Sequence, residues 1–279
     1  MNYKNYILLS ILCNITLQAE ISQIRSFQEA EAILATTDKN TLVLFDVDET
    51  LIYWADKIQY PKFKSQWQDM KKMAWERAGD RQTLLRSKIF LKCKKVLIEP
   101  FVADIIRQLQ DREVKVLALT KMESGNYGII PLMEEWRYQE LRDLGITFKS
   151  WSDHRMEFSQ CVTRENNYPV FYKGILVTNR HEKGEVLGAF LDTIFEREGY
   201  KPDRVMLFED QIGNLQSVEQ ELASRGIAFE GYHYLGPYPD AEFDPIIAQY
   251  QLDYLHDHEE WLTDEEAAQH LASGIKSCN

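Results

Sequence analysis

An α/β fold, with a Rossmann-like parallel sheet flanked by helices, is what this chain of 279 residues predicts. Three observations carry the expectation. Short runs of aliphatic and aromatic residues, apolar at every position, suit strands buried on both faces. Helical patterns with an apolar face stand between them, and that alternation builds right-handed βαβ units. Acidic and hydroxyl residues gather where the apolar runs end, and sites in parallel sheets form at that carboxyl edge.

Residues 1–19, MNYKNYILLSILCNITLQA, read as a secretory signal peptide. Lys4 supplies the positive start, an apolar run follows, and Ala19 is the small residue that a cleavage site needs. The mature chain is therefore expected to be exported, to a periplasm or beyond the cell. An amphipathic helix is expected near residues 26–35. The first strand is then 41–45, TLVLF, followed by strands at 114–119, 175–177 and 205–208. Helices are expected at 101–110 after Pro100, at 133–144 before Gly145, at 186–198 before Gly199 and at 211–225 before Gly226. The third would place Val186, Leu187, Phe190, Leu191, Ile194 and Phe195 on one face. Thr263-Asp264-Glu265-Glu266 has the capping-box pattern that starts a last helix.

The charge balance of 32 Lys+Arg against 44 Asp+Glu, net −12, excludes a uniformly basic nucleic-acid binder. Its distribution is uneven. Residues 53–98 hold twelve Lys/Arg and four Asp/Glu, whereas 240–266 hold ten Asp/Glu and no Lys or Arg. The chain therefore divides into the signal peptide, an α/β core of 20–52 and 99–279, and a basic helical insert or small cap at 53–98. Trp67, Met70 and Ala74, then Leu85 and Ile89, predict two helices within the insert. Lys62, Lys64, Lys71, Lys72, Arg77 and Arg81 could steer an anionic substrate or contact nucleic acid or an acidic membrane. Tyr53, Trp54, Tyr60, Phe63, Trp67 and Trp75 are interleaved with them and could stack on bases. Equally, the aromatics could form the insert's own core and its cations could pair with the acidic tail. Beyond the signal, Cys93, Cys161 and Cys278 show no zinc spacing, and one disulfide among them is open.

The chemistry-bearing residues begin with Asp46-Val47-Asp48-Glu49-Thr50, directly after the first strand. One carboxylate can attack as a nucleophile and bind a hard cation, while the second moves a proton. An EF-hand is excluded, because Leu51 and Lys57 stand where that loop needs Gly and Glu. Thr120 ends the second strand with a hydroxyl suited to a phosphoryl oxygen. Lys183 opens the helix after the third, and the fourth runs into Glu209-Asp210 with Asn214 four residues on. Complementary groups at four successive strand ends predict one joint site. His181, near Lys183, ranks below it. His256 and His258 at i,i+2 do not share a helix face and read as loop residues.

This set resembles the haloacid dehalogenase-like (HAD) superfamily of phosphohydrolases over roughly residues 40–235. Its four motifs match as Asp46/Asp48/Thr50, Thr120, Lys183 and Glu209-Asp210 with Asn214; LVLFDVDETL is the most specific part, and KGEVL and FED look most like a bacterial HAD-like group without an assigned substrate. Glu209 stands where the superfamily more often has Gly or Asp, and Asn214 replaces a frequent second Asp. The resemblance implies an Mg²⁺-dependent phosphatase acting on a phosphate monoester through an aspartyl-phosphate. Asp46 would be the nucleophile and Asp48 the acid and base, with Thr120 and Lys183 holding the phosphoryl group. Asp46, the Asp48 carbonyl and Asp210 would bind Mg²⁺. The superfamily's dehalogenases lack the second carboxylate, so Asp48 argues against halide displacement. A phosphotransferase sharing the intermediate, or a catalytically weak binding protein using its basic insert, are the alternatives.

Overall fold

The structure is a computed structural model that describes residues 20–149, 151, 155–164 and 166–274. The signal-peptide reading at 1–19 and Cys278 lie outside the described residues. The core elements run β1 (Glu20–Ile24), α1 (Glu31–Leu34) and β2 (Thr41–Phe45). The insert follows, with β3 (Ile52–Trp54), α2 (Lys64–Ala78), α3 (Gln82–Lys92) and β4 (Lys95–Leu97). The chain then returns to the core with α4 (Val102–Asp111), β5 (Lys115–Thr120), α5 (Met133–Asp143), β6 (Met156–Glu157), β7 (Val170–Tyr172) and β8 (Ile175–Val177). It ends with α6 (Lys183–Glu198), β9 (Arg204–Glu209), α7 (Ile212–Ser224), β10 (Ala228–Tyr234), α8 (Pro245–His258) and α9 (Asp264–Ala272).

Among the described residues the main sheet has the order β1-β10-β9-β2-β5-β8-β7-β6. Its strands are parallel from β1 to β8, and β7 and β6 add an antiparallel edge. The fold is thus α/β with a mostly parallel sheet covered by helices on both faces. Strand side chains alternate between two cores, as the pleat requires. Val43, Phe45, Val116, Ala118, Met206 and Phe208 pack with α4 and α5. Leu42, Leu44, Leu117, Leu119, Val205 and Leu207 pack with α6 and α7. No described helix is long and apolar enough to cross a membrane.

Two expectations are corrected in detail. Residues 26–30 form successive i→i+3 turns rather than an α-helix, and only Glu31–Leu34 is helical. The Phe27 amide, a donor that a helix starting here would leave free, donates to the buried Glu99 carboxylate at 2.8 Å. On α6, Phe195 is 57% exposed, while the rest of its expected face is buried.

The insert and the acidic tail pack together. Ile58, Ala74, Ala78, Leu85 and Ile89 share one apolar cluster with Ala248, Leu252, Leu255 and Trp261, and Trp54, Trp67 and Trp75 pack against it. Around the rim, Arg77 pairs with Asp253 and Asp257, Arg81 with Glu259, and Lys92 with Glu266. Lys57 pairs with Asp264 at 3.1 Å, and the Asp264 amide donates to Asp56 at 3.0 Å. Trp261 donates its indole N–H to the same Asp56 at 2.7 Å. The capping box on Thr263 and Glu266 is formed as its sequence predicts. His256 and His258 lie in the last turn of α8, not in a loop, and His256 is buried against the Ala74 carbonyl at 2.8 Å.

Candidate active site

The chain leaves β2 toward β5 on one side and returns to β9 on the other. The adjacent carboxyl ends of β2 and β9 therefore form the switch point, where α/β sheets open a crevice. Phe45 and Phe208 are in register there, stacked at 5.0 Å, and the Asp46 amide donates to the Phe208 carbonyl at 2.9 Å. That ladder bond fixes Asp46 beside Glu209 and Asp210. One strand further, Thr120 ends β5, and its carbonyl accepts from the Thr178 amide just past β8, at 2.9 Å. From there a short loop leads to Lys183 at the start of α6.

Close packing of α6 on α7 sets the position of Lys183. A Cβ at Gly184 would lie 2.2 Å from the Ser217 carbonyl oxygen, and one at Gly188 would meet the Glu221 carboxylate. The glycines therefore let the helices approach, and the Gly184 amide donates to Ser217 Oγ at 3.0 Å. Lys183 is wholly buried, with its ammonium donating to both Asp46 and Glu209. Glu209 also accepts from Asn214 Nδ2 at 3.0 Å and from the Gln211 amide at 3.1 Å. Thr50 Oγ1 donates to Asp46 at 3.4 Å.

One ammonium does not balance three crowded carboxyl groups. Burial and then Glu209 push the Asp46 carboxyl well above the usual carboxylate range, against the pull of Lys183. Burial and Glu209 likewise raise Asp210 to about 7. Burial works against the charge on Lys183, but Asp46 and Glu209 outweigh it and keep the ammonium protonated. Oxygens of Asp46, Glu209 and Asp210 lie within 4.8 Å of one another, a spacing suited to a shared hard cation.

These residues line a cleft of about 410 Å³. Asp46, Asp48, Thr120, Glu209, Asp210 and Asn214 reach it, whereas Thr50 and Lys183 lie behind Asp46 and do not. His181 is also buried away from the cleft, with Nδ1 3.4 Å from Glu185. The insert lysines and arginines expected to steer substrate do not line it either. Asp48 turns toward α5, where Arg137 donates to both its carboxylate oxygens at 3.0 Å. Arg137 is 2% exposed and was not foreseen, although Met133, Arg137 and Leu141 are spaced as one helix face and all three are buried. Glu49, also on the cleft, adopts φ +67°, accepts from the Tyr238 hydroxyl, and is raised by burial to about 8.

Cys93 and Cys161 are free thiols buried in separate clusters, so they are not bonded to each other. Burial pushes both up, Cys161 to about 11, which suits inert core residues rather than nucleophiles.

Fold and site together define an α/β protein whose parallel sheet opens a carboxylate-lined crevice at its switch point. By sequence, the chain belongs to the family described as Protein of unknown function (DUF2608), which matches residues 23–268. It is similar to an uncharacterized protein of Rickettsia prowazekii (strain Madrid E), 26% identical over 281 residues, spanning 97% of this chain and 99% of the relative. An uncharacterized protein of Rickettsia bellii (strain RML369-C) is 25% identical over 251 residues, 83% of each chain. One from Rickettsia felis (strain ATCC VR-1525 / URRWXCal2) is 30% identical over 146 residues, 50% of this chain and 48% of the relative. No solved structure matches.

Proposed function

We propose that this protein is an exported HAD-like phosphatase that hydrolyses a phosphate monoester through an aspartyl-phosphate on Asp46, with Mg²⁺ as cofactor. The observation that carries the reading is the convergence of Asp46, Lys183, Glu209 and Asp210 at the switch point of the sheet. The carboxylate oxygens of Asp46, Glu209 and Asp210, with negative charge that the single Lys183 ammonium does not balance, fit a hard divalent cation. Asp46 and Asp210, with the Asp48 carbonyl or Glu209, would hold it. Bound there, Mg²⁺ would supply positive charge against the phosphoryl oxygens and lower the barrier to attack.

The side chains divide the remaining work. A carboxylate oxygen of Asp46 forms a bond to phosphorus while the ester P–O bond breaks. The alcohol leaves with a proton from Asp48. Asp48 then takes a proton from water, whose oxygen attacks phosphorus, and the Asp46–phosphorus bond breaks to release inorganic phosphate. Arg137, holding both oxygens of Asp48, positions that carboxyl beside the cleft. Thr120 is available to donate to a phosphoryl oxygen. Lys183, behind the cleft, orients Asp46 and Glu209 and offsets their repulsion rather than touching substrate first.

A panel of phosphate esters led by p-nitrophenyl phosphate, assayed with Mg²⁺ and with chelator, tests the reading. Mg²⁺-dependent release of inorganic phosphate is the expected result. No release from any ester, or release indifferent to chelation, contradicts it. N-terminal sequencing of the mature chain tests export, with Glu20 as the expected first residue.

A further inference from the structure

The cleft has a second wall that phosphoryl chemistry does not use. Trp54 from β3, Phe90 from α3 and Trp136 from α5 line it beside Met122 and Met133. The three rings form one continuous patch. Phe90 lies 5.5 Å from Trp54 and 5.6 Å from Trp136, nearly parallel to the latter at 16°. Each residue is half-buried, with part of its surface on the cleft. Phe90 also stacks on Tyr127 at 5.5 Å. The Lys95 ammonium sits 3.4 Å from the Trp54 ring centre and is itself anchored by Glu140 at 3.0 Å. Rigid aromatic surface of this kind loses little freedom when a ligand covers it.

We infer that this wall is a subsite for a planar aromatic group carried by the alcohol half of the phosphate ester. The inference rests on the phosphatase reading for the direction of the substrate. A phosphoryl group beside Asp46 and Asp210 leaves the alcohol half to fill the rest of the same small cleft, and three rings with two methionines make up the apolar part of that space. A simple sugar phosphate could pair its hydroxyls with the polar groups that also line the cleft, among them Glu49, Glu123 and Arg180, but it offers these rings no π-face to stack on. A planar ring gains stacking as well as burial. Two of the three rings come from the insert, which gives that region a role in choosing substrate that its lysines do not have at the cleft.

The test compares matched esters on the full mature chain with Mg²⁺. 2-Phenylethyl phosphate and 2-cyclohexylethyl phosphate share leaving-group acidity and differ in planarity. Adenosine 5′-monophosphate and ribose 5-phosphate distinguish a nucleoside source of the ring from an aryl one. The subsite predicts kcat/KM at least about tenfold higher for the ring-bearing member of one pair, as stacking on an aromatic side chain allows. That ratio should fall toward unity in both Trp136→Leu and Phe90→Leu. Ratios within about twofold in both pairs, or a ratio that survives both substitutions, would overturn the subsite. If no ester is hydrolysed, the phosphatase reading fails by itself. Calorimetric binding of the same four esters then decides the subsite, which stands only if a ring-bearing ester binds more tightly and loses that advantage in Trp136→Leu.

Discussion

Charge is used in opposite ways at the sheet edge and in the lobe formed by insert and tail. At the edge, Lys183, Asp46 and Glu209 are removed from water and crowd into one network. Around the lobe, Arg77, Arg81 and Lys92 meet Asp253, Asp257, Glu259 and Glu266 in pairs that stay largely wetted. Residue types are the same, and only the solvent differs. Desolvation makes the buried group costly to hold and costlier to break, which is the arrangement expected where chemistry needs it. The wetted pairs add little to stability; the lobe is held by Trp261, Leu255, Leu85 and their neighbours. A cluster of charges in sequence therefore carries functional weight according to how deeply the fold buries it.

Substitutions sharpen that contrast, beginning with the largest effect. Asp46→Asn should lower Mg²⁺-dependent hydrolysis at least about a thousandfold, roughly 4 kcal/mol of barrier, with circular dichroism unchanged. Lys183→Met leaves Asp46 and Glu209 facing each other without a cation, and should cost about 3–5 kcal/mol in urea unfolding. Under the proposed function, millimolar Mg²⁺ should recover part of that loss, because a cation held by these carboxylates would favour the folded arrangement. Gly184→Ala drives a Cβ into the Ser217 backbone, and α6 must shift with Lys183 on it. A melting curve should show a loss of about 1–3 kcal/mol.

Lys92→Ala, by contrast, should change stability by less than about 1 kcal/mol, and high salt should shrink even that. Its signature is in pH. The hydrogen bond from Lys92, with help from the Thr263 backbone, holds the Glu266 carboxyl below its ordinary value of 4.5. The resulting stability is complete above pH 4.5 and disappears as the pH falls through the lowered value. Thermal melts should therefore separate the native chain from Lys92→Ala above pH 4.5, and the curves should converge as the pH falls through that acid limb.

Much of the site is legible in the sequence, because strands buried on both faces announce themselves and each gives way to a polar residue. The apolar runs around residues 41–45 and 205–208 placed Asp46 and Glu209 at strand ends, and their adjacency follows from the parallel pairing of β2 with β9. What sequence did not convey was depth. Nothing in KGEVL says that Lys183 lies behind Asp46 rather than in the cleft. Arg137 is hidden in the sequence because an arginine within a charged helix reads as solvated, despite its spacing with Met133 and Leu141. The aromatic wall was legible only in part: Trp54 stood among the insert aromatics, but Phe90 and Trp136 join it through tertiary packing of separate elements. The pairing of basic insert with acidic tail was visible as composition, while the particular partners depend on how α8 lies against α2.

The most direct test is to look for phosphorus on Asp46. The chain is mixed with a hydrolysed ester and Mg²⁺, quenched in acid within milliseconds, digested and weighed by mass spectrometry. A phosphoryl adduct on the peptide carrying Asp46, rising and decaying with turnover and absent from Asp46→Asn, is the predicted result. Turnover without any such adduct, or an adduct that persists when Asp46 is replaced, would contradict the account.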